Sequence, residues 1–196
     1  MIVEPLESAD GDLPGPLLTE LAALYASDHA FQQLSGEFPD PGAITPEQVA
    51  ASLADELVHP GAEVLLARSA GRLVAVAVTL AHAPGSGGDP APGTAARRTS
   101  PPDPADGMSD PVIGLLMVHG ELRRAGYGRQ LAAAAEERFR TAGRGGVRVA
   151  VPEDNSTALA FWNALGYEEI DRAPDRRRPD RSCAVLRKDL TRPAGS

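Results

Sequence analysis

Between residues 112 and 143 an apolar run passes straight into a glycine-broken turn and then an amphipathic helix. Val112, Ile113, Leu115, Leu116, Met117 and Val118 are interrupted only by Gly114, which is what a strand buried on both faces needs. Arg123, Gly126 and Gly128 follow. Leu131, Ala135, Phe139 and Ala142 then recur along one helical face, and Gly143 stops the helix. Glycines let backbone N–H groups close on an anion with no side chain in the way. The start of a helix adds free N–H groups and the positive end of its dipole. Arg123, Arg124 and Arg129 add full charges suited to phosphate oxygens. On these grounds the segment reads as a pyrophosphate cradle. It is not the Walker pattern, because no Lys-Ser or Lys-Thr follows the glycines, and it lacks the three glycines of the dinucleotide fingerprint. Gly-x-Gly alone fits a plain strand-to-helix turn just as well, so the surrounding sequence has to decide.

The rest of the chain predicts a mixed α/β domain. Residues 2–6 suit a short first strand. Leu17, Leu18, Leu21, Leu24 and Tyr25 mark a helix that begins near Pro14 and Pro16. Thr45, Pro46 and Gln48 form a helix start with a capping box. Val49, Leu53, Leu57 and Val58 continue its buried stripe as far as Pro60 and Gly61. Two β-type runs, 63–68 and 72–81, flank Ser69, Ala70 and Gly71, which predict a tight antiparallel turn. Residues 147–151 read as a strand. Asn155 opens a helix with Leu159, Trp162 and Leu165 on one side and Gly166 at its end, and 167–170 and 183–190 are final strands around an Arg-rich connection. The order is β-α-α-β-β-β-α-β-α-β-β in one domain over 1–192, with a tail at 193–196. Residues 83–111 are rich in Pro, Gly, Asp, Ala and Ser, a composition too poor in large apolar residues to build a core, and predict a disordered loop.

Charge is divided along the chain. From Met1 to Glu63 there are 12 acidic residues and no Lys or Arg, whereas from Glu121 to Arg192 there are 15 basic residues against 11 acidic. Such asymmetry suits two faces with different partners, or simply a solubilising surface. No basic stripe with interleaved aromatics occurs, so a nucleic-acid partner is not expected. No run of about 18 apolar residues suggests a membrane span, and no secretory leader is recognisable. A cytoplasmic location is the default expectation. The single cysteine, Cys183, excludes an internal disulfide and a thiolate-rich metal site, and no metal is expected.

Arg123-x-x-Gly126-x-Gly128, after a strand ending at Val118, resembles motif A of the GNAT acetyltransferases. Asn155, Ala158, Phe161, Trp162, Leu165, Gly166 and Tyr167 look like motif B of the same family, and the two together span about residues 112–170. The resemblance implies a single-domain GNAT-like mixed sheet flanked by helices, with acetyl-CoA or another acyl-CoA as co-substrate. It implies that Leu116, Met117 and Val118 line pantetheine. The pyrophosphate cradle is carried by Arg123, Arg124, Ala125, Gly126, Tyr127, Gly128 and Arg129, with Asn155, Phe161 and Trp162 as further cofactor contacts. The backbone N–H of Val118 is the implied oxyanion donor, in a direct transfer to an amine without a covalent enzyme intermediate. Family members are often dimers, so a homodimer is a further expectation. Ala158, Phe161, Trp162 and Leu165 also suit any amphipathic helix, and Asn155 any helix cap.

The resemblance breaks at the acid. Trp162 stands where many family members carry a tyrosine, and an indole donates a hydrogen bond but no proton. Either the thiolate leaves unaided, or another group serves, or the protein binds without catalysing. Tyr127 and Tyr167 occupy positions the family fills with apolar residues and are not assigned as the acid. The base is open as well: residues 112–118 contain no carboxylate, and Asp28, His29, Glu37, His82 and His119 are candidates by their segments alone, solvated surface being the more ordinary role for each. His119 stands out because it follows the strand where the thioester is expected. Cys183 lies in an apolar strand without an activating neighbour and is not expected to be a nucleophile. If the early helices border the acceptor entrance, as in the family, their carboxylates favour a cationic amine, either a small molecule or a peptide. A non-catalytic acyl-CoA sensor is the rival reading. A nucleotide-phosphate binder leaves the block at 155–167 unexplained.

Overall fold

Strand alternation and helical periodicity combine into a sheet with a helical layer on each face. The computed structural model describes residues 1–6, 13–81, 110–175 and 178–191. The chain runs β1 (Ile2–Pro5), α1 (Gly15–Ala26), α2 (His29–Ser35), α3 (Pro46–Leu57), β2 (Ala62–Ser69), β3 (Arg72–Leu80), β4 (Val112–Val118), α4 (Tyr127–Thr141), β5 (Gly146–Pro152), α5 (Ser156–Ala164), β6 (Glu168–Pro174) and β7 (Ser182–Asp189). The seven strands form one mixed sheet in the order β1-β2-β3-β4-β5-β7-β6. All pairings are antiparallel except β4 with β5. The predicted loop at 83–111 lies outside the described residues except for Asp110 and Pro111, as does the tail at 193–196.

Local chemistry sets most boundaries. Thr45 and Gln48 form the capping box, with Gln48 N–H donating to Thr45 Oγ1 at 3.3 Å and Thr45 N–H to Gln48 Oε1 at 2.9 Å. Ala70 and Gly71 both take positive φ, +49° and +80°, between the paired residues Ser69 and Arg72. A two-residue turn of this kind follows the twist of the strands it joins. Val58, expected on the buried stripe of α3, is the exposed residue at its carboxyl end. Ala142, expected on the buried face of α4, is likewise the exposed residue after its last turn. Along β2, Leu65 and Ala67 face the core beneath α4 and α5, while Val64 and Leu66 face the core beneath α1 and α3.

The sequence predicted β4 to be buried on both faces. Only Ile113 and Met117 are buried; Gly114 is exposed, and Leu115, Leu116 and Val118 are half-buried. The reason lies in the pairing. Strand β4 is registered with β3 from Val112 to Val118, but with β5 only at Val112↔Arg148. Beyond that point the parallel neighbours part. Asp110 ties the closed end, accepting from Arg148 Nε at 3.1 Å and from Arg187 Nε at 2.8 Å, on β5 and β7. The sheet therefore opens toward Val118.

Burial opposes ionisation of Asp110, but hydrogen bonds and charge from Arg187 and Arg148 outweigh it and hold the carboxyl below its usual range. A depressed carboxyl contributes stability above the unfolded value of about 3.9, and that contribution is lost as pH falls through the folded value. Asp110→Asn should cost about 2 kcal/mol near neutrality. Urea titrations of both proteins should converge as pH falls through the folded value; a gap that stays constant through the acid range would contradict this account.

Candidate active site

The open end of the β4–β5 gap is where the functional groups meet. His119 N–H donates to Val74 O at 2.9 Å across β3. Antiparallel alternation then turns the N–H of Met117 toward β3 and those of Leu116 and Val118 toward the opposite edge. That edge faces the gap, so the Val118 N–H points into the opening between the strands. The side chains divide the same way. Leu116 and Val118 pack on the α4 and α5 side, whereas Met117 is buried on the other face, its Sδ accepting from Gln32 Nε2 at 3.7 Å. The Met117 side chain, expected beside pantetheine, therefore faces away from the gap.

A short 3-10 turn, Gly120–Leu122, leads from β4 to the glycine loop. Arg124 and Gly126 take φ of +66° and +84°, and Gly126 opens α4 with no side-chain cap. The first bond of that helix is Gln130 N–H to Gly126 O at 3.1 Å, leaving the N–H groups of Tyr127, Gly128 and Arg129 without an intrahelical acceptor. A Cβ on Gly128 would sit 3.3 Å from Val118 Cγ2 and 3.4 Å from Phe161 on α5. The end of β4, the start of α4 and the α5 aromatic thus converge on one point. Arg124 and Arg129 are exposed at its rim, and neither forms an ion pair among the described residues. Ala125 is exposed within the loop.

Other expected site residues are committed elsewhere. Arg123 pairs with Asp28, which is 6% exposed and also caps α2 through Phe31 N–H at 3.1 Å. This leaves Asp28 a structural joint rather than a base. Tyr127 donates its hydroxyl to Ser69 Oγ at 3.3 Å, tying α4 to the β2–β3 turn. Asn155 Oδ1 accepts from Ala158 N–H at 3.0 Å as the cap of α5. Trp162, expected at the cofactor, is a core residue at 6% exposure, edge-on to Phe161 and Tyr167 at 5.0 and 4.8 Å. Helical spacing turns it under the sheet while its neighbour Phe161 faces Gly128.

His119, expected as a candidate base, has its ring engaged. Its Nε2 lies 2.9 Å from Arg72 Nη2 and, facing a guanidinium, must accept; its Nδ1 is buried without a partner. Neither nitrogen is available to an incoming amine. Burial and then Arg72 lower its pKa, outweighing the nearby Glu121, so the ring is held neutral. His29 is exposed on α2, His82 lies outside the described residues, and Glu37 is half-buried with Oε1 accepting from Ser52 Oγ. The Tyr167 hydroxyl donates to Glu136 Oε1 at 3.1 Å, and burial, then Glu136, push its pKa far above the usual range. Burial foremost, with Asp175 adding, pushes the Cys183 thiol up to about 11, which leaves it un-nucleophilic.

Helix α2 escaped the sequence reading, although Asp28 before Phe31 and the positive φ of Gly36 form a start and a stop. A separate hollow of about 330 Å³ lies between β1 and the β2–β3 turn. Its guanidinium, that of Arg68, is taken up by Glu4 and Glu20. Among the described residues no cluster of His, Cys, Asp or Glu is able to hold a metal ion, and no helix is long and apolar enough to cross a membrane.

This architecture, a mixed sheet parted beside a glycine-opened helix, is the fold of the GNAT acetyltransferases. Residues 108–175, which carry the gap, the loop and α5, match the FR47-like protein family. No curated protein matches the chain in sequence. Among solved structures, an acetyltransferase assigned to the GNAT family from Desulfovibrio desulfuricans is 17% identical, with a TM-score of 0.57 over 96% of this chain and 98% of that one. The PaiA N-acetyltransferase from Thermoplasma acidophilum, in complex with coenzyme A, is 16% identical, with a TM-score of 0.61 over 96% and 99%. An aminoglycoside 6'-N-acetyltransferase complexed with coenzyme A is 14% identical, with a TM-score of 0.60 over the full length of both chains.

Proposed function

We propose that the protein is an acyl-CoA-dependent N-acyltransferase that moves an acetyl or other acyl group to a primary amine. The observation that carries this reading is the convergence of an outward Val118 N–H, the uncapped start of α4 and Phe161 at the open end of the β4–β5 gap. The residues fit the co-substrate: a position a Cβ would crowd at Gly128, a left-handed Gly126, and two exposed arginines that form no ion pair among the described residues. Two of the similar structures hold coenzyme A, which supports the assignment.

In this reading Arg124, Arg129 and the N–H groups of Tyr127, Gly128 and Arg129 hold the pyrophosphate. Leu116 and Val118 border the pantetheine arm, and Phe161 closes its side. Bound acyl-CoA supplies an activated thioester. The Val118 N–H, held on a strand and not shared with β3, donates to the carbonyl oxygen as negative charge develops there. Arg123 fixes the loop instead of binding phosphate directly. The amine's proton passes to water or to a carboxylate reached through it. With Trp162 in the core and Tyr167 bound to Glu136, the thiolate leaves without a side-chain acid, which its ordinary pKa of about 8.5 permits.

The acceptor is proposed to be cationic, but four early carboxylates are already neutralised: Glu4 and Glu20 by Arg68, Asp28 by Arg123 and Glu63 by Arg138. The preference then rests on what remains of the early acidic residues, such as Asp40, which follows α2. Buried Trp162 favours a second reading, an acyl-CoA sensor without turnover. Thiol release over an amine panel separates the two. The enzyme reading expects turnover, with polyamines or aminoglycosides ahead of neutral amines. Binding of acyl-CoA with no release from any amine would favour the sensor, and equal rates for neutral amines would remove the charge preference.

A further inference from the structure

Helix α2 joins three parts of the molecule. Gln32, fully buried, donates Nε2 to Tyr25 O at 3.2 Å and to Met117 Sδ on β4. Arg181, in the connection between β6 and β7, donates Nη1 to Leu34 O at 2.6 Å while pairing with Asp175 at 2.5 Å. In the strand order, β4 and the β7-β6 pair lie on opposite sides of the β4–β5 gap. Thus α2 straps the two halves of the sheet together near the open end, as Asp110 does at the closed end.

The start of α2 is tied to the glycine loop. Asp28 divides its oxygens, Oδ1 accepting from Phe31 N–H and Oδ2 pairing with Arg123. Ser27 Oγ accepts from Gly120 N–H at 2.9 Å, and a Cβ on Gly120 would fall 2.2 Å from Ser27 O. Loop and helix corner fit without slack, and removing one partner of a buried carboxylate is strongly destabilising.

We infer that Asp28 is a positioning residue that couples the loop to α2, so that filling the cradle tightens the strap across the gap and improves amine binding. The inference rests on the acyl-CoA reading of the loop. A ligand that orders a shared element lowers the ordering cost for the next ligand, and the coupling is reciprocal.

The test is amide hydrogen exchange of residues 29–35 with and without coenzyme A, alongside calorimetric binding, in wild type, Arg123→Gln and Arg123→Lys. Arg123→Gln leaves the Asp28 cap on Phe31 in place, so it avoids the folding defect that Asp28→Ala risks. Coenzyme A should slow α2 exchange about fivefold or more in wild type, and little in Arg123→Gln even though that variant still binds it. Arg123→Lys should restore part of the protection, and KM for the amine should rise in Arg123→Gln more than kcat falls. Undiminished α2 protection in Arg123→Gln, or wild-type binding without any α2 protection, would overturn the coupling alone. Wild type that binds no coenzyme A would overturn the cradle and the coupling together.

Discussion

Gly128→Val should abolish useful acyl-CoA binding, weakening it by at least roughly 100-fold, about 2.7 kcal/mol. Even a Cβ at this position would sit 3.3 Å from Val118 Cγ2 and 3.4 Å from Phe161. Valine adds two methyl groups at the point where strand end, helix start and α5 meet. Overpacking there costs about 1–3 kcal/mol of stability, so binding has to be measured by calorimetry below the variant's melting range. Gly15→Ala, where nothing lies within 4 Å of the added Cβ, is the comparison that should change neither property. Wild-type affinity in Gly128→Val would mean that the convergence point is not where the co-substrate lies.

Lys188→Met carries the largest expected loss of stability. Glu136 on α4 is 6% exposed; its Oε2 accepts from Lys188 Nζ at 2.7 Å and its Oε1 from Tyr167 hydroxyl at 3.1 Å. Removing the lysine leaves a buried carboxylate with one neutral partner, at a cost of about 3–5 kcal/mol. Glu136→Gln in the Lys188→Met background should restore most of the loss at neutrality, read from urea midpoints. A deficit that the second substitution leaves unchanged would show that Lys188 acts through packing alone.

What could be read from sequence was whatever local chemistry fixes. Gly126, Gly143 and Gly166 take positive φ where a helix starts or stops, and Thr45 with Gln48 and Asn155 with Ala158 cap helices as their spacing implied. The glycine loop is of this kind, because its glycines, arginines and helix start are contiguous. What escaped depends on distant partners. The seven-residue α2 buries one side chain, and that one is polar, so no apolar periodicity announces it. The half-open state of β4 follows from β5 leaving it after Val112, which an apolar run does not encode. Arg123 looked like a phosphate ligand because its partner Asp28 lies far away in sequence. His119 looked like a base because its position after β4 says nothing about Arg72. Met117 and Trp162 were assigned by segment, whereas the pleat and the helical turn decide which of several adjacent apolar residues faces the gap.

The central claim, that the loop from Arg123 to Arg129 and the open end of β4 hold an acyl-CoA, is tested most directly by thermal unfolding of the protein with and without acetyl-CoA. A ligand at 100 times its Kd stabilises the folded form by about 2.7 kcal/mol, which for a chain of this size is a rise of roughly 5–10 °C in Tm. The account predicts that rise with acetyl-CoA and its loss in Gly128→Val. No rise with any acyl-CoA, or an equal rise with ATP alone, would contradict it.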